Sequence, residues 1–182
     1  KRAYDYLASE FRQVGLQPLY GEDLPGYIQP FTFNAGSYAG PDNHLKIGKK
    51  SVSADKGFYP LAWSSNSGFK GKVLFVKHGI AAPGRDDYEG VGSLKDRVVV
   101  MEYGYPEGMD LHSREAAFAD HRTRIDSAAA RGAIAVIFIN SDSKTDNPAR
   151  KISNRISPGN IPVLFVEKEF ADALKATKAP TV

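Results

Sequence analysis

The sequence of 182 residues contains no cysteine, and this absence excludes several kinds of site at once. Without thiols the chain cannot form disulfides, thiolate zinc sites, iron–sulfur clusters or a cysteine nucleophile. Long apolar runs are also absent, because the longest, AIAVIFI at 133–139, is far shorter than the roughly 20 residues that cross a bilayer. The residues after Lys1 and Arg2 are amphipathic, so we expect neither a membrane span nor a signal peptide within this sequence.

An excess of charge of one sign is missing too. The 24 basic and 21 acidic residues leave a net charge of +3. The arginines at 114, 122, 124 and 131 alternate with acidic residues and form no basic stripe. We therefore expect no nucleic acid as a partner. Hydrophobic residues make up 42% of the chain, which is enough for the core of one domain or of one domain with an appendage.

Complete catalytic patterns are lacking as well. The four histidines (His44, His78, His112 and His121) form neither H-E-x-x-H nor H-x-D, and Asp110-x-His112 and Asp120-His121 read as polar residues around a helix start. No G-x-S-x-G elbow occurs, and WSSNSG at 63–68 reads as a turn. Gly90-Val91-Gly92 is not followed by the third glycine of a phosphate-binding loop. We predict no catalytic, cofactor-binding or metal-binding residue in this chain.

One acidic cluster leaves an alternative open. Asp86, Asp87 and Glu89 lie close together in a glycine-containing loop. Carboxylate oxygens are ligands that Ca²⁺ prefers, so a cation site is one interpretation. A solvated loop, or a cap for the following turn, is the interpretation that we favour.

The pattern of apolar residues predicts an α/β fold. Ala3, Leu7, Phe11 and Val14 lie at steps of four, four and three, which indicates a helix that ends at Gly15. Further helices are predicted at 112–131 and 168–175. Strands are predicted at 27–33, 45–47, 58–63, 72–77, 97–101, 133–139 and 161–166, with 133–139 buried on both faces. The strand–helix order after Leu94 favours parallel pairing and the short strands before it antiparallel pairing, which together give a mixed sheet.

Several segments resemble the protease-associated (PA) domain. They are LKDRVVV at 94–100, DSAAARGA at 126–133, IAVIFIN at 134–140 and IPVLFV at 161–166. In that family a strand follows a leucine–polar–glycine–lysine turn, and the next helix carries a basic residue, an alanine and a Gly-Ala pair at steps of four. Arg124, Ala128 and Gly132-Ala133 match those steps, which place them on one helix face. Asp96 stands where the family commonly has glycine.

The resemblance is narrower for other segments. GKVLFVKHGI at 71–80, DDYEGVGSLKDRVVVM at 86–101 and GYP at 104–106 are similar to the PA domains inserted into zinc-dependent aminopeptidases related to glutamate carboxypeptidase and the transferrin receptor. YDYLASEFRQVGLQPL at 4–19 and YIQPF at 27–31 resemble the segment that begins such enzymes. The resemblance implies a parent's N-terminal helix and strand at 1–39, a β-rich PA domain of the swivelling β/β/α type with flanking helices at 40–176, and a linker at 177–182.

The function implied by this resemblance is that of a non-catalytic accessory domain of a secreted zinc aminopeptidase. It would cover the active-site cleft or govern substrate access and protein contacts, with the parent's peptidase domain and a peptide or protein substrate as partners. Zinc is expected in a catalytic domain outside this sequence, and the expected location is periplasmic or extracellular. In the loop 104–114, Tyr105, Pro106 and Arg114 are the candidate cleft-facing contacts, with the arginine facing a peptide carboxylate.

Two other functions stay open. A stand-alone interaction module of a receptor or serine peptidase is the main alternative, because PA domains occur there too, and an independent hydrolase is the third. A H-x-D motif in the sequence following Val182 would favour the aminopeptidase, whereas a membrane span would favour a receptor.

Overall fold

The computed structural model of the chain describes residues 2–18, 26–27, 31–33, 35–54, 56–142, 144–153 and 155–176. The chain divides into two compact units, Lys1–Asn34 and Ala35–Val182. Within the described residues, no helix has the length and apolar character required to cross a membrane.

The first unit contains helix α1 (Arg2–Gln13), as predicted. Gly15 has a φ of 78°, and Leu16 N–H bonds to the carbonyl of Phe11 at 3.0 Å, which closes the helix in the left-handed manner that glycine permits. The apolar stripe of α1 remains open to solvent, with Leu7 50% and Val14 71% exposed. Of the strand predicted at 27–33, residues 28–30 lie outside the described residues and 31–33 are not in a strand, so the prediction is wrong for that end.

The second unit is built on a five-stranded sheet. Its strands, in spatial order, are β3 (Phe58–Pro60), β9 (Val163–Val166), β8 (Ala135–Ile139), β7 (Arg97–Glu102) and β4 (Lys72–Phe75). β3 pairs antiparallel with β9, and the other neighbours pair parallel. Two hairpins accompany the sheet: β1 (His44–Ile47) with β2 (Lys50–Ser53), and β5 (Ala81–Ala82) with β6 (Arg85–Asp86). The mixed α/β fold class is therefore confirmed, although β4 is parallel where an antiparallel strand was expected.

The core lies on both faces of this sheet because side chains alternate along the strands. In β7, Val98 and Val100 face the cluster formed with the β1–β2 hairpin and helix α4 (Lys168–Ala176). Val99 and Met101 face the opposite cluster, which includes Ile125 and Ala128 of helix α3 (His121–Ala130). All five residues of β8 are buried, so the prediction of a strand covered on both faces is confirmed.

The helix predicted at 112–131 is wrong in its first half. The structure has turns as far as residue 115, a four-residue helix α2 (Ala116–Ala119) and then α3. Asp120 separates the two helices with ψ of 137°, and its carboxylate accepts hydrogen bonds from the backbone N–H groups of Arg122 and Thr123. Because this aspartate caps α3, it cannot continue α2. Gly132 ends α3 with a φ of 91°, as predicted.

Candidate functional site

The carboxyl ends of the parallel strands bring three chain segments together at one edge of the sheet. After β4 the chain continues through His78, and after β7 it continues through Tyr103 and Gly104. Helix α3 connects β7 to β8, so its first turn lies over the same edge. Ligands of α/β proteins commonly bind at this edge, which makes it the place to look for a site.

Arg124 joins these segments from the first turn of α3. Its side chain is fully buried, with 0% exposure. Nη1 donates hydrogen bonds to the carbonyl oxygens of His78 at 3.0 Å, Glu102 at 2.9 Å and Gly104 at 3.4 Å, and Nη2 donates to that of Tyr103 at 2.9 Å. One guanidinium therefore fixes the loop that follows β4 and the loop that follows β7. We call Arg124 with these four carbonyl groups the Arg124 clamp.

In the described residues the charge of Arg124 is stabilised without a salt bridge. In the described part of the chain, no acidic side chain lies within salt-bridge distance of it. Its guanidinium carbon instead lies 5.2 Å from the ring centre of Phe138 and 5.9 Å from that of Tyr105. Burial lowers the pKa of Arg124 to about 10, so the side chain stays charged at neutral pH. Its Nε is buried and has no hydrogen-bond partner among the residues that the structure describes.

His121 lies beside this clamp in a stack of aromatic rings. Its ring is 5.5 Å from that of Trp63 and 4.2 Å from that of Tyr103, centre to centre. Nε2 donates a hydrogen bond to the Tyr103 carbonyl at 3.0 Å, since a carbonyl oxygen only accepts. Burial, and next the positive charge of Arg124, lower the pKa of His121 to about 4. The imidazole is consequently neutral at physiological pH.

The acidic loop at 86–89 is only partly the solvated loop that the sequence favours. Asp87 is buried, and its Oδ2 accepts hydrogen bonds from the backbone N–H groups of His78 at 3.2 Å and Ile80 at 3.1 Å. Arg85 Nε donates to Oδ1 at 3.2 Å. Asp86 and Glu89 are exposed, as expected. The solvated interpretation is therefore wrong for Asp87, whose Oδ2 accepts from two backbone N–H groups and whose Oδ1 accepts from the Arg85 side chain of the β5–β6 hairpin.

The predicted contact residues lie in an exposed loop that starts at this clamp. Tyr105 is 41% exposed, and its ring meets that of His121 edge to face at 5.8 Å. Pro106 begins a turn in which Met109 N–H bonds to its carbonyl at 3.2 Å. Arg114 is exposed at the end of the loop. Their role as cleft-facing contacts stays a prediction.

A cleft of about 370 Å³ lies between this loop and the β5–β6 hairpin. Ile80, Ala82 and Arg85 line one wall, and the loop residues 106–110 with Ser113 and Glu115 line the other. The structure thus brings Pro106 into the cleft lining but places Tyr105 over Arg124 and leaves Arg114 outside the lining. The cleft combines apolar and acidic groups.

The remaining histidine and aspartate candidates have structural contacts. His78 Nδ1 donates to the Gly104 carbonyl at 3.1 Å, and Asp110 Oδ1 accepts from the backbone N–H of His112 at 2.9 Å in a local turn. No group of three or more histidines and carboxylates in the described residues is arranged to hold a metal ion.

Arg124, Glu107 and Glu115 were not identified as site residues from the sequence, and Asp87 was considered only as part of a cation site. A signal for Arg124 exists: it precedes Ile125 and lies four residues before Ala128, so it shares the buried face of α3. No comparable signal marks Glu107 or Glu115, because they become neighbours of the β5–β6 hairpin only through folding.

Comparison with known proteins adds a family. A family model described as the PA domain matches residues 49–174, which contain β2 to β9, α2, α3 and most of α4. No curated protein matches the chain.

Similar solved structures include an aminopeptidase from Aneurinibacillus sp. strain AM-1, which is 20% identical with a TM-score of 0.49 over 80% of this chain and 30% of its own. BSAP, a zinc aminopeptidase from Bacillus subtilis, is 18% identical with a TM-score of 0.47 over 76% of this chain and 28% of its own. The psychrophilic subtilisin-like protease Apa1 from Pseudoalteromonas sp. AS-11 is 15% identical with a TM-score of 0.44 over 76% of this chain and 31% of its own. The chain thus spans less than a third of the length of each.

Proposed function

Because this chain belongs to the PA domain family, as the sequence predicted, we propose that it is the accessory domain of a secreted zinc aminopeptidase and governs which peptides reach the active site. The family match supports the accessory role. The resemblance of 4–19, 27–31, 71–80, 86–101 and 104–106 to the aminopeptidase variety supports the choice of parent. The same resemblance supports a zinc ion in the parent's peptidase domain and a periplasmic or extracellular location.

The loop 104–114 is the surface that we assign to this role. The observation that carries the assignment is the Arg124 clamp, which immobilises the start of the loop at Tyr103 and Gly104. Beyond this fixed start the loop presents Tyr105 and Leu111 to solvent, 41% and 53% exposed. A loop held at a rigid base presents its side chains in one arrangement, which lowers the entropy lost when a substrate or a neighbouring domain binds.

The peptidase domain is the partner proposed for the first unit. Leu7 and Phe11 of α1 and Val14 just after it are exposed, and an exposed apolar stripe of this kind is typical of a surface that another protein covers. The division into 1–39, 40–176 and 177–182 belongs to this proposal.

Arg114→Ala in the full-length enzyme tests the role of the loop. If Arg114 faces a substrate carboxylate, its removal lowers kcat/KM about 2- to 5-fold for peptides that end in a free carboxylate and leaves the same peptides with an amidated end unaffected, because exposed charge pairs contribute about 0.2–1 kcal/mol. Arg155→Ala, an exposed arginine outside this loop, is the matched control. Equal kinetics of wild type and Arg114→Ala on both peptide sets would remove the support for this contact.

Deletion of residues 40–176 from the full-length enzyme tests the accessory role more broadly. The zinc content of the remaining protein should be unchanged, whereas its relative activity on long and short peptides should shift. A protein with unchanged selectivity would contradict the proposal and favour a stand-alone interaction module.

A further inference from the structure

The cleft between the β5–β6 hairpin and the loop 106–115 has the dimensions of a small ligand site. Its volume of about 370 Å³ lies at the lower end of the roughly 300–1,000 Å³ of ligand pockets in proteins. A space of this size suits one amino-acid side chain with its neighbouring backbone. The two walls come from segments 20 or more residues apart, so the cleft is a product of the tertiary fold.

The charge of the lining determines the sign of the ligand. Among the lining residues Glu107, Asp110 and Glu115 are acidic and Arg85 is basic, which gives a formal charge of −3 + 1 = −2. Arg85 is itself neutralised by Asp87, which lies 3.2 Å away and whose side chain is 4% exposed. The whole chain carries a charge of +3, so the cleft has the opposite sign to the protein around it. Such a local potential attracts cations and repels carboxylates.

The apolar part of the lining determines the shape of the ligand. Ala82 contributes partly exposed apolar surface to one wall, and Pro106 and Met109 contribute it to the other, whereas Ile80 borders the cleft but is fully buried. A long aliphatic stem gains contact with such walls while its charged end stays with the carboxylates and water. A lysine or arginine side chain has this combination of stem and charge, whereas a small metal ion makes no favourable contact with apolar walls.

The hairpin wall and the start of the loop that forms the other wall are held by hydrogen bonds within the chain. Asp87 accepts from the N–H groups of His78 and Ile80, and Arg124 donates to the carbonyls of His78 and Gly104. We propose that this preformed cleft binds a lysine or arginine side chain of a peptide, which makes it a specificity site for basic substrates of the parent enzyme. The identity of the peptide as a substrate rests on the proposed function, whereas binding of the basic side chain by this chain does not.

NMR titration of the 182-residue protein with three capped tripeptides tests the inference. The peptides are Ac-Ala-Lys-Ala-NH₂, the norleucine analogue, which keeps the stem without the charge, and the glutamate analogue. The lysine peptide should bind about 3- to 10-fold more tightly than the norleucine peptide, since two or three exposed ion pairs each contribute modestly. Its binding should weaken with added salt and should shift the amide signals of Ala82, Gly108 and Ser113. Norleucine or glutamate binding as tight as lysine binding would overturn the proposal.

Matched charge variants locate the site. Glu107→Gln with Glu115→Gln removes two cleft carboxylates and should reduce the preference for lysine over norleucine to about 2-fold or less. Glu89→Gln with Glu169→Gln makes the same change in net charge at exposed positions outside the lining and should leave that preference intact. An equal loss in both double variants would show that net charge alone attracts the peptide, and this result would refute a defined site.

Kinetics of the full-length enzyme separate this inference from the proposed function. If the isolated chain binds the lysine peptide while the cleft variants leave kcat/KM for lysine-containing substrates unchanged, the cation site stands and the role in substrate selection fails. If the isolated chain shows no preference for lysine while deletion of the domain changes selectivity, the proposed function stands and the cation site fails.

Discussion

Replacing Arg124 by methionine is the change to which this fold should be most sensitive. The substitution keeps an unbranched apolar stem in α3 but removes a guanidinium that donates to four backbone carbonyls. Two of these carbonyls keep another donor, because Tyr103 also accepts from His121 Nε2 and Gly104 from His78 Nδ1. The carbonyls of His78 and Glu102 lose the guanidinium outright.

The magnitude follows from two opposed contributions. Each buried carbonyl that loses its donor costs about 1–3 kcal/mol, or about 2–6 kcal/mol for His78 and Glu102 together. Removing a buried charge that has no salt-bridge partner in the described residues offsets part of this cost, since replacing buried ions by apolar groups is often neutral or stabilising by about 1–4 kcal/mol. We expect the loss of hydrogen bonds to prevail, with Arg124→Met lowering the free energy of unfolding by about 2–4 kcal/mol. The free energy of unfolding of Arg124→Lys should lie between those of the wild type and Arg124→Met, because an ammonium group retains up to three donors.

Urea unfolding followed by tryptophan fluorescence measures this effect at the site itself. Trp63 is the single tryptophan of the sequence and stacks on the ring of His121. Arg131→Met is the control: this arginine lies at the end of the same helix, is exposed, and packs over the ring of Tyr88 at 4.4 Å, so its loss should cost less than about 1 kcal/mol. If Arg124→Met is no less stable than Arg131→Met, the clamp does not hold the loops together.

Two further predictions concern Asp96, which directly precedes β7, and His121, which lies beside the clamp. Asp96 has a φ of 59° at the position where the PA family commonly has glycine. In urea unfolding, Asp96→Gly should therefore keep the free energy of unfolding or raise it by up to about 1 kcal/mol, whereas Asp96→Val should lower it by about 1–2 kcal/mol. A valine variant as stable as the glycine variant would contradict the argument from backbone strain. The pKa of His121 is about 4 in the folded protein and 6.5 when unperturbed. The neutral ring therefore stabilises the fold fully above pH 6.5. This contribution, about 2–3 kcal/mol, is lost as the pH falls toward 4. His121→Phe keeps a stacked ring that cannot titrate, and its unfolding free energy should fall less steeply over that interval than that of the wild type; parallel curves would refute the assignment.

Local patterns were sufficient where one segment determines its own structure. The run 133–139 has no polar alternation, and such a run requires a strand covered on both faces, which β8 is. The end of α1 at Gly15 and that of α3 at Gly132 follow from the left-handed conformation that glycine adopts at low cost. These elements were predicted correctly because their signals are contained within a few residues.

The helix predicted at 112–131 failed because a single side chain changes the outcome. Asp120 competes with the helix backbone by bonding to the N–H groups of Arg122 and Thr123, and the periodicity of apolar residues does not register this competition. Similarly, β2 and the β5–β6 hairpin are too short to show a period. β4 is parallel because of the crossover that connects it to β7, a feature of topology that its own residues do not encode.

The site was harder to predict than the fold because its members act through backbone atoms of distant segments. Arg124 contacts carbonyls 20 to 46 positions away in the sequence, and a carbonyl has no residue-specific signature. In the sequence the four arginines at 114, 122, 124 and 131 look equivalent as charges. In the folded protein, burial distinguishes Arg124 from Arg122 and Arg131.

His78 connects the clamp to the cleft, and this connection links fold stability to the proposed specificity. Its N–H donates to Asp87, which holds the hairpin wall, and its carbonyl accepts from Arg124, which also holds the start of the loop at Tyr103 and Gly104. The N–H and the carbonyl of one residue thus connect the hairpin wall to the base of the loop that forms the other wall. Because binding affinity in a preformed site depends on walls that need no reordering, the cleft should lose affinity with any change that frees His78, even though neither Asp87 nor Arg124 lines the cleft.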